Sequence, residues 1–120
     1  MRYVVLIYGS ESHLATLTPP AMAELIARWT AFNEGFLATG IVQASGRLRP
    51  TPSASTLRVR GGKVLTTDGP FAETKEQLGG FYVIDVPSLD HALDWARKMP
   101  TAEFGAIEVR PIWEREDYAK

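Results

Sequence analysis

The chain opens on Tyr3-Val4-Val5-Leu6-Ile7-Tyr8, a run that is apolar at odd and even positions alike. Side chains along a strand point alternately to the two faces of a sheet, so this segment needs cover on both. That requirement bounds the fold more tightly than anything else in the sequence. Arg2 to Tyr8 is therefore expected as an interior strand.

Gly9-Ser10, Gly61-Gly62, Asp68-Gly69-Pro70 and Gly79-Gly80 divide the remainder into short elements. Thr18-Pro19 reads as an N-cap followed by proline at the first helical position. Beyond it Met22, Leu25, Ile26, Trp29, Phe32, Phe36 and Leu37 recur at steps of three and four, which predicts a long amphipathic helix closed by Gly40. Ile41 to Ala44 is the next expected strand, and Pro50 and Pro52 interrupt any pairing after it. Thr56 to Arg60 alternates Leu57 and Val59 with Arg58 and Arg60, so one buried and one wet face are expected. Gly61-Gly62 suits a tight hairpin into Lys63 to Thr67. Phe81 to Val86 is a further strand. Ser88 caps a second helix with Leu89, Ala92, Leu93, Ala96 and Met99 inward, and Trp95 lies off that stripe. Ile107 to Trp113 closes the order.

Strand, helix, strands, helix, strand is the plan of an α+β domain of ferredoxin-like, split βαβ type. It has an antiparallel sheet with two helices on one face. The other sheet face is then bare, although the first strand and Phe81-Tyr82-Val83-Ile84 are apolar on both parities. A second copy of the same sheet is the simplest cover, so we expect a homodimer with sheets face to face.

At 120 residues the chain is a single domain, 1–120, with enough apolar content (45 %) for one core. It has no cysteine, which excludes disulfides, thiolate-ligated metals and thiol nucleophiles. Thirteen Lys and Arg against fourteen Asp and Glu give no basic field for nucleic acid. No run is long enough for a bilayer and no secretory leader is read, so the expectation is a cytoplasmic protein without membrane contact. Glycine-rich phosphate loops and Gly-x-Ser-x-Gly elbows are absent. His13 and His91 have no ligand spacing, and no metal or other cofactor is expected.

The segment Asp68-Gly69-Pro70-Phe71-Ala72-Glu73-Thr74-Lys75-Glu76-Gln77-Leu78-Gly79-Gly80 resembles the signature of DGPF-type proteins in the YCII-related superfamily. The resemblance extends through Phe81 to Pro87, the opening strand, and Glu108-Val109-Arg110-Pro111-Ile112-Trp113-Glu114. It implies a dimeric α+β barrel and no settled activity. It also implies a genetic setting beside extracytoplasmic-function sigma factors, hence an association with such a factor as a candidate partnership. Members credited with lyase-like chemistry resemble one another in a His near the start of the first helix and an Asp before the proline after the second. Here Ala21 or Met22, and Met99, stand at those places, so that dyad is missing.

Candidate site residues follow from type and position. Asp68, Glu73, Lys75 and Glu76 crowd one loop, where Asp68 is a candidate general base and Lys75 a candidate anion holder. A turn in which Asp68 bonds its own backbone is the equal alternative. Tyr8, Tyr82, Glu108 and Arg110 lie on strands and are candidates to line an inter-sheet cavity. Alternatively the tyrosines pack at the interface and Glu108 pairs with a neighbour such as Arg58. The functional expectation is a small polar or aromatic molecule bound between the two sheets, with no reaction assigned. Any catalysis would be lyase-, hydrolase- or oxygenase-like, the last by fold analogy alone. The alternative is a non-catalytic module that partners a sigma factor, with exposed patches near Trp95 or Trp113.

Overall fold

A computed structural model describes residues 1–119. The order is β1 (Arg2–Gly9), α1 (Glu11–Leu14), α2 (Pro19–Ala38), β2 (Val42–Arg47), β3 (Ser55–Arg60) and β4 (Lys63–Asp68). It continues with β5 (Gln77–Asp85), α3 (Leu89–Ala96), β6 (Ala106–Pro111) and α4 (Arg115–Tyr118). Four strands form an antiparallel sheet in the order β2-β5-β1-β6, and β3 and β4 pair only with each other. This is the expected ferredoxin-like α+β plan with a hairpin inserted between its second and third main strands.

The local signals act as the sequence indicates. Thr18 Oγ1 accepts from the Ala21 amide at the start of α2, and Ser88 accepts from His91 at the start of α3. Gly40 has φ of 78°, the left-handed value that ends a helix. Gly61 and Gly62 have φ of 57° and 77°, the pair of positive angles that a two-residue type I′ hairpin turn needs.

Register assigns every strand residue to a face. Val5 opposes Tyr82 and Val109, and Tyr3 opposes Ile84. These side chains meet the helices, where Val5, Ile84 and Phe36 are wholly buried. Phe36 is the hub, with its ring centroid 5.0 Å from Tyr82 and 4.7 Å from Trp95. On the other face Val4 opposes Val83 and Arg110, and Leu6 opposes Phe81 and Glu108. Among the described residues no helix covers that side, and its apolar residues are half-buried.

Three local expectations change. Trp95 is half-buried against the core, between Phe36 and the Lys98 ammonium, while Leu89 and Leu93 are exposed. The aromatic ring offers more area to Phe32 and Phe36 than a leucine would, so α3 is turned toward it. Leu57 and Val59 have no buried side: they are 61 % and 53 % exposed, because their hairpin stands away from the main sheet. Glu108 pairs with Arg110 on its own strand, not with Arg58, whose guanidinium sits over Phe71.

Candidate functional site

The principal cavity lies between α2 and the helix-facing side of the sheet, toward the edge strand β2. Its volume is about 430 Å³, within the range of small-molecule sites. Ile7, Leu14, Met22, Leu25 and Trp29 give it apolar walls. The hydrophobic stripe of α2 reaches past the core at this point. Its upper half, around Phe36, fills the protein interior, and its lower half faces open space.

Polar groups enter the cavity at defined places. The Tyr82 hydroxyl donates to Asn33 Oδ1 at 2.7 Å. Burial pushes this phenol above its ordinary value of 10.0, so at neutral pH it is a donor and not a phenolate. The Trp29 indole N–H donates to Thr101 Oγ1 at 3.2 Å. Near one end, the Glu11 carboxylate accepts from the Thr51 amide at 2.8 Å and from its hydroxyl at 2.6 Å. The Glu11 amide in turn donates to Gln77 Oε1 at 2.8 Å. These bonds tie α1, the turn at Thr51 and the start of β5 into one wall. Arg47 and Arg49 stand at the margin, exposed, and among the described residues neither is ion-paired.

The arrangement can receive a flat apolar body beside Trp29, hydrogen-bond it through Tyr82 and Asn33, and attract negative charge at the margin.

Of the residues singled out from sequence, only Tyr82 joins this cavity. It does so from the helix side of the sheet, because it opposes the buried Val5. Tyr8 lies at the irregularity in the β1–β5 register, opposite Leu78 and Ala106. Asp68 ends β4 opposite Ser55, and Glu73 and Lys75 follow in an exposed loop. Arg110 lies on the uncovered sheet face, bonded to Glu108. The structure thus disperses these groups within one chain. An inter-sheet cavity, by contrast, is a property of two chains.

Asn33, Glu11, Arg47 and Arg49 carry no weight in the sequence reading. Asn33 had a legible signal: it falls between Trp29 and Phe36 on an otherwise apolar stripe, where a polar side chain needs a partner. Glu11 had none, since its partners are 40 and 66 residues away.

Comparison with known proteins decides the family. The sequence profile of the YCII-related domain matches residues 1–116. The chain belongs to the YCII-related domain family. An uncharacterized protein of Rhizobium meliloti (strain 1021) is 42 % identical over 114 residues, covering 93 % of this chain and 92 % of that one. The fold is similar to 5-chloro-2-hydroxyhydroquinone dehydrochlorinase (TftG) of Burkholderia phenoliruptrix AC1100, solved in complex with 2,5-dihydroxybenzoquinone. That likeness has a TM-score of 0.55 at 17 % identity and covers 95 % of this chain and 94 % of the other. At such identity it establishes that this YCII-related domain shares the fold. No helix among its described residues is long and apolar enough to cross a membrane.

Proposed function

We propose that this YCII-related domain binds a small, flat, largely apolar molecule with an acidic or anionic substituent in the cavity between α2 and the sheet. The carrying observation is the cavity of about 430 Å³, with its apolar walls and the neutral Tyr82 phenol bonded to Asn33 within it. Trp29 supplies a ring face, and Arg47 and Arg49, not ion-paired among the described residues, favour an anion over a neutral molecule. The quinone bound to TftG belongs to the same chemical class and supplies a first probe. No reaction is assigned.

The unit we propose is a homodimer joined through the uncovered sheet face. Val4, Leu6, Phe81 and Val83 form an apolar centre there, with Ala44 and Gly46 at one edge and the Glu108–Arg110 pair at the other. Such a patch on both copies suits a two-fold contact.

The test is isothermal titration calorimetry with 2,5-dihydroxybenzoquinone and with hydroxybenzoates, checked by thermal shift. Saturable binding is expected in the wild type and is lost in Leu25→Trp, which fills the cavity with a larger ring. At a hundredfold excess over the dissociation constant the ligand adds about 2.7 kcal/mol, or about 11 °C for a chain of this size. Equal affinity in wild type and Leu25→Trp would refute the site. Silence across the panel would return the protein to the alternative, a regulatory module partnering a sigma factor, for which the exposed Trp113–Tyr118 pair is the surface to examine.

A further inference from the structure

Among the described residues the β3–β4 hairpin pairs with no other strand, and its contact with Phe71 comes from Arg58 on the charged face. Val59 opposes Val64 and Leu57 opposes Thr66, so Leu57, Val59 and Val64 share one face. They are 61 %, 53 % and 64 % exposed. The other face carries Arg58, Arg60 and Lys63 around a single aliphatic residue, Leu65, which pairs with Arg58 and is also exposed. A two-stranded hairpin alone is marginal in water, and three aligned exposed aliphatic side chains make it more costly still. Its base is nevertheless fixed: the Gly69 amide donates to the Ala54 carbonyl at 2.7 Å, and Thr56 Oγ1 donates to the Gly69 carbonyl at 2.9 Å. It is therefore an arm with a defined root and an unpartnered apolar side.

The dimensions of the chain point to what covers it. The radius of gyration is 16.8 Å, against about 13.6 Å for a compact chain of this length. The accessible surface is 8400 Å², against about 6,500 Å² for a compact chain of this mass. The excess, about 1,900 Å² per chain, is more than twice the roughly 800 Å² that each partner gives to a standard stable interface. A second copy carries the same uncovered sheet face and the same arm, so one two-fold operation covers both kinds of apolar surface on both chains.

We propose that the β3–β4 hairpin is an arm that closes over a second copy of this chain. Leu57, Val59 and Val64 pack against that copy and extend the sheet-to-sheet contact, while Arg58, Arg60 and Lys63 stay in solvent. The arm rests on the two-copy reading given above and is separable from it.

The test compares the wild type with Val59→Lys/Val64→Glu by sedimentation equilibrium. The two new charges face one another across the hairpin, so they preserve its pairing while making its apolar side charged. A wild-type mass of twice 13.3 kDa is expected, with dimerisation weakened by at least about a hundredfold in the variant. Circular dichroism confirms that the variant is folded. Amide exchange gives an independent reading: protection of 55–68 should rise with protein concentration and stay low in the variant. A monomeric wild type would overturn both the dimer and the arm. A variant that dimerises as tightly as the wild type would overturn the arm alone, and the more clearly if Val83→Lys separates the chains. Concentration-independent protection of the arm would also overturn it.

Discussion

Removing one oxygen atom from the cavity tests the assignment of Tyr82 to the helix side. In Tyr82→Phe the ring keeps its contact with Phe36, at 5.0 Å between centroids, and only the 2.7 Å bond to Asn33 is lost. A hydrogen bond of this kind contributes about 1 kcal/mol net, and a stranded buried partner would raise the cost toward 3 kcal/mol. Asn33 is only half-buried and borders the cavity, so water can replace the phenol and the lower value applies. The unfolding entropy of 120 residues is about 0.25 kcal/mol/K, which converts that loss to a fall in Tm of about 4 °C. The pH dependence has a definite sign. Burial raises the phenol above 10.0, so below that pH the ring is protonated in both folded and unfolded chains. Above it the unfolded chain releases its proton first and stability falls as pH rises toward the higher folded value. The assay is urea unfolding of both proteins near neutral pH and again at about pH 10.5, at equal protein concentration so that association is held constant. The advantage of wild type over Tyr82→Phe should shrink at the alkaline pH. An unchanged urea midpoint near neutral pH, or an advantage that grows with pH, would refute a buried phenol bonded to Asn33.

Other substitutions probe different parts. Gly105→Ala should lower Tm by roughly 4–12 °C in a thermal scan, because the new Cβ would collide with the Tyr8 carbonyl and Thr101, at a cost of about 1–3 kcal/mol. Glu114→Gln leaves one acceptor oxygen where the carboxylate takes two bonds from Arg2, at 2.7 and 3.0 Å, and removes the charge from the link that ties the segment after β6 to β1. The guanidinium lowers the Glu114 carboxyl below its ordinary 4.5, so the stabilisation is present above that pH and is lost as pH falls through the lower folded value. Wild type and Glu114→Gln should therefore differ at neutral pH and converge in strong acid, as read by chemical denaturation. Asp68→Asn should leave the affinity for 2,5-dihydroxybenzoquinone unchanged within twofold by calorimetry, since Asp68 lies on the exposed arm; abolished binding would place that carboxylate in the site.

Where the responsible interaction was local, the sequence displayed it. Thr18-Pro19, Ser88 and Gly61-Gly62 work within a few residues of themselves, and each does what its type dictates. The same holds for β1, whose two apolar parities match a strand buried on the helix side and only half-buried on the other. The four residues of α1 carry too little periodicity to register in the sequence, even though Ser10 caps the turn by accepting from the His13 amide. The candidate site was far less legible. Its wall depends on Glu11 meeting Thr51 and Gln77, contacts set by the arrangement of whole elements. The sequence left open which parity of β5 faces the helices, and Tyr82 could be assigned only through its pairing with Val5.

That parity has a consequence for how the two faces of the sheet divide the work. Tyr82, Val5 and Tyr3 point to the helices, so the residues next to them in sequence, Phe81, Val83, Val4 and Leu6, must point away. A ligand in the proposed α2 cavity and a second copy on the opposite face would meet the same strands from two sides, and Phe81, adjacent to Tyr82 on one backbone, borders the cavity as well. A shift of β5 that tightens the dimer contact at Phe81 would move the phenol against Asn33. Binding at the cavity and association of the chains should accordingly be linked, and by reciprocity each would change the other's affinity by the same factor. Titrating 2,5-dihydroxybenzoquinone at protein concentrations above and below the dimer midpoint measures that factor. A value of one would mean that β5 is too rigid to pass a displacement from one face to the other, with the sheet acting as a wall between two independent sites.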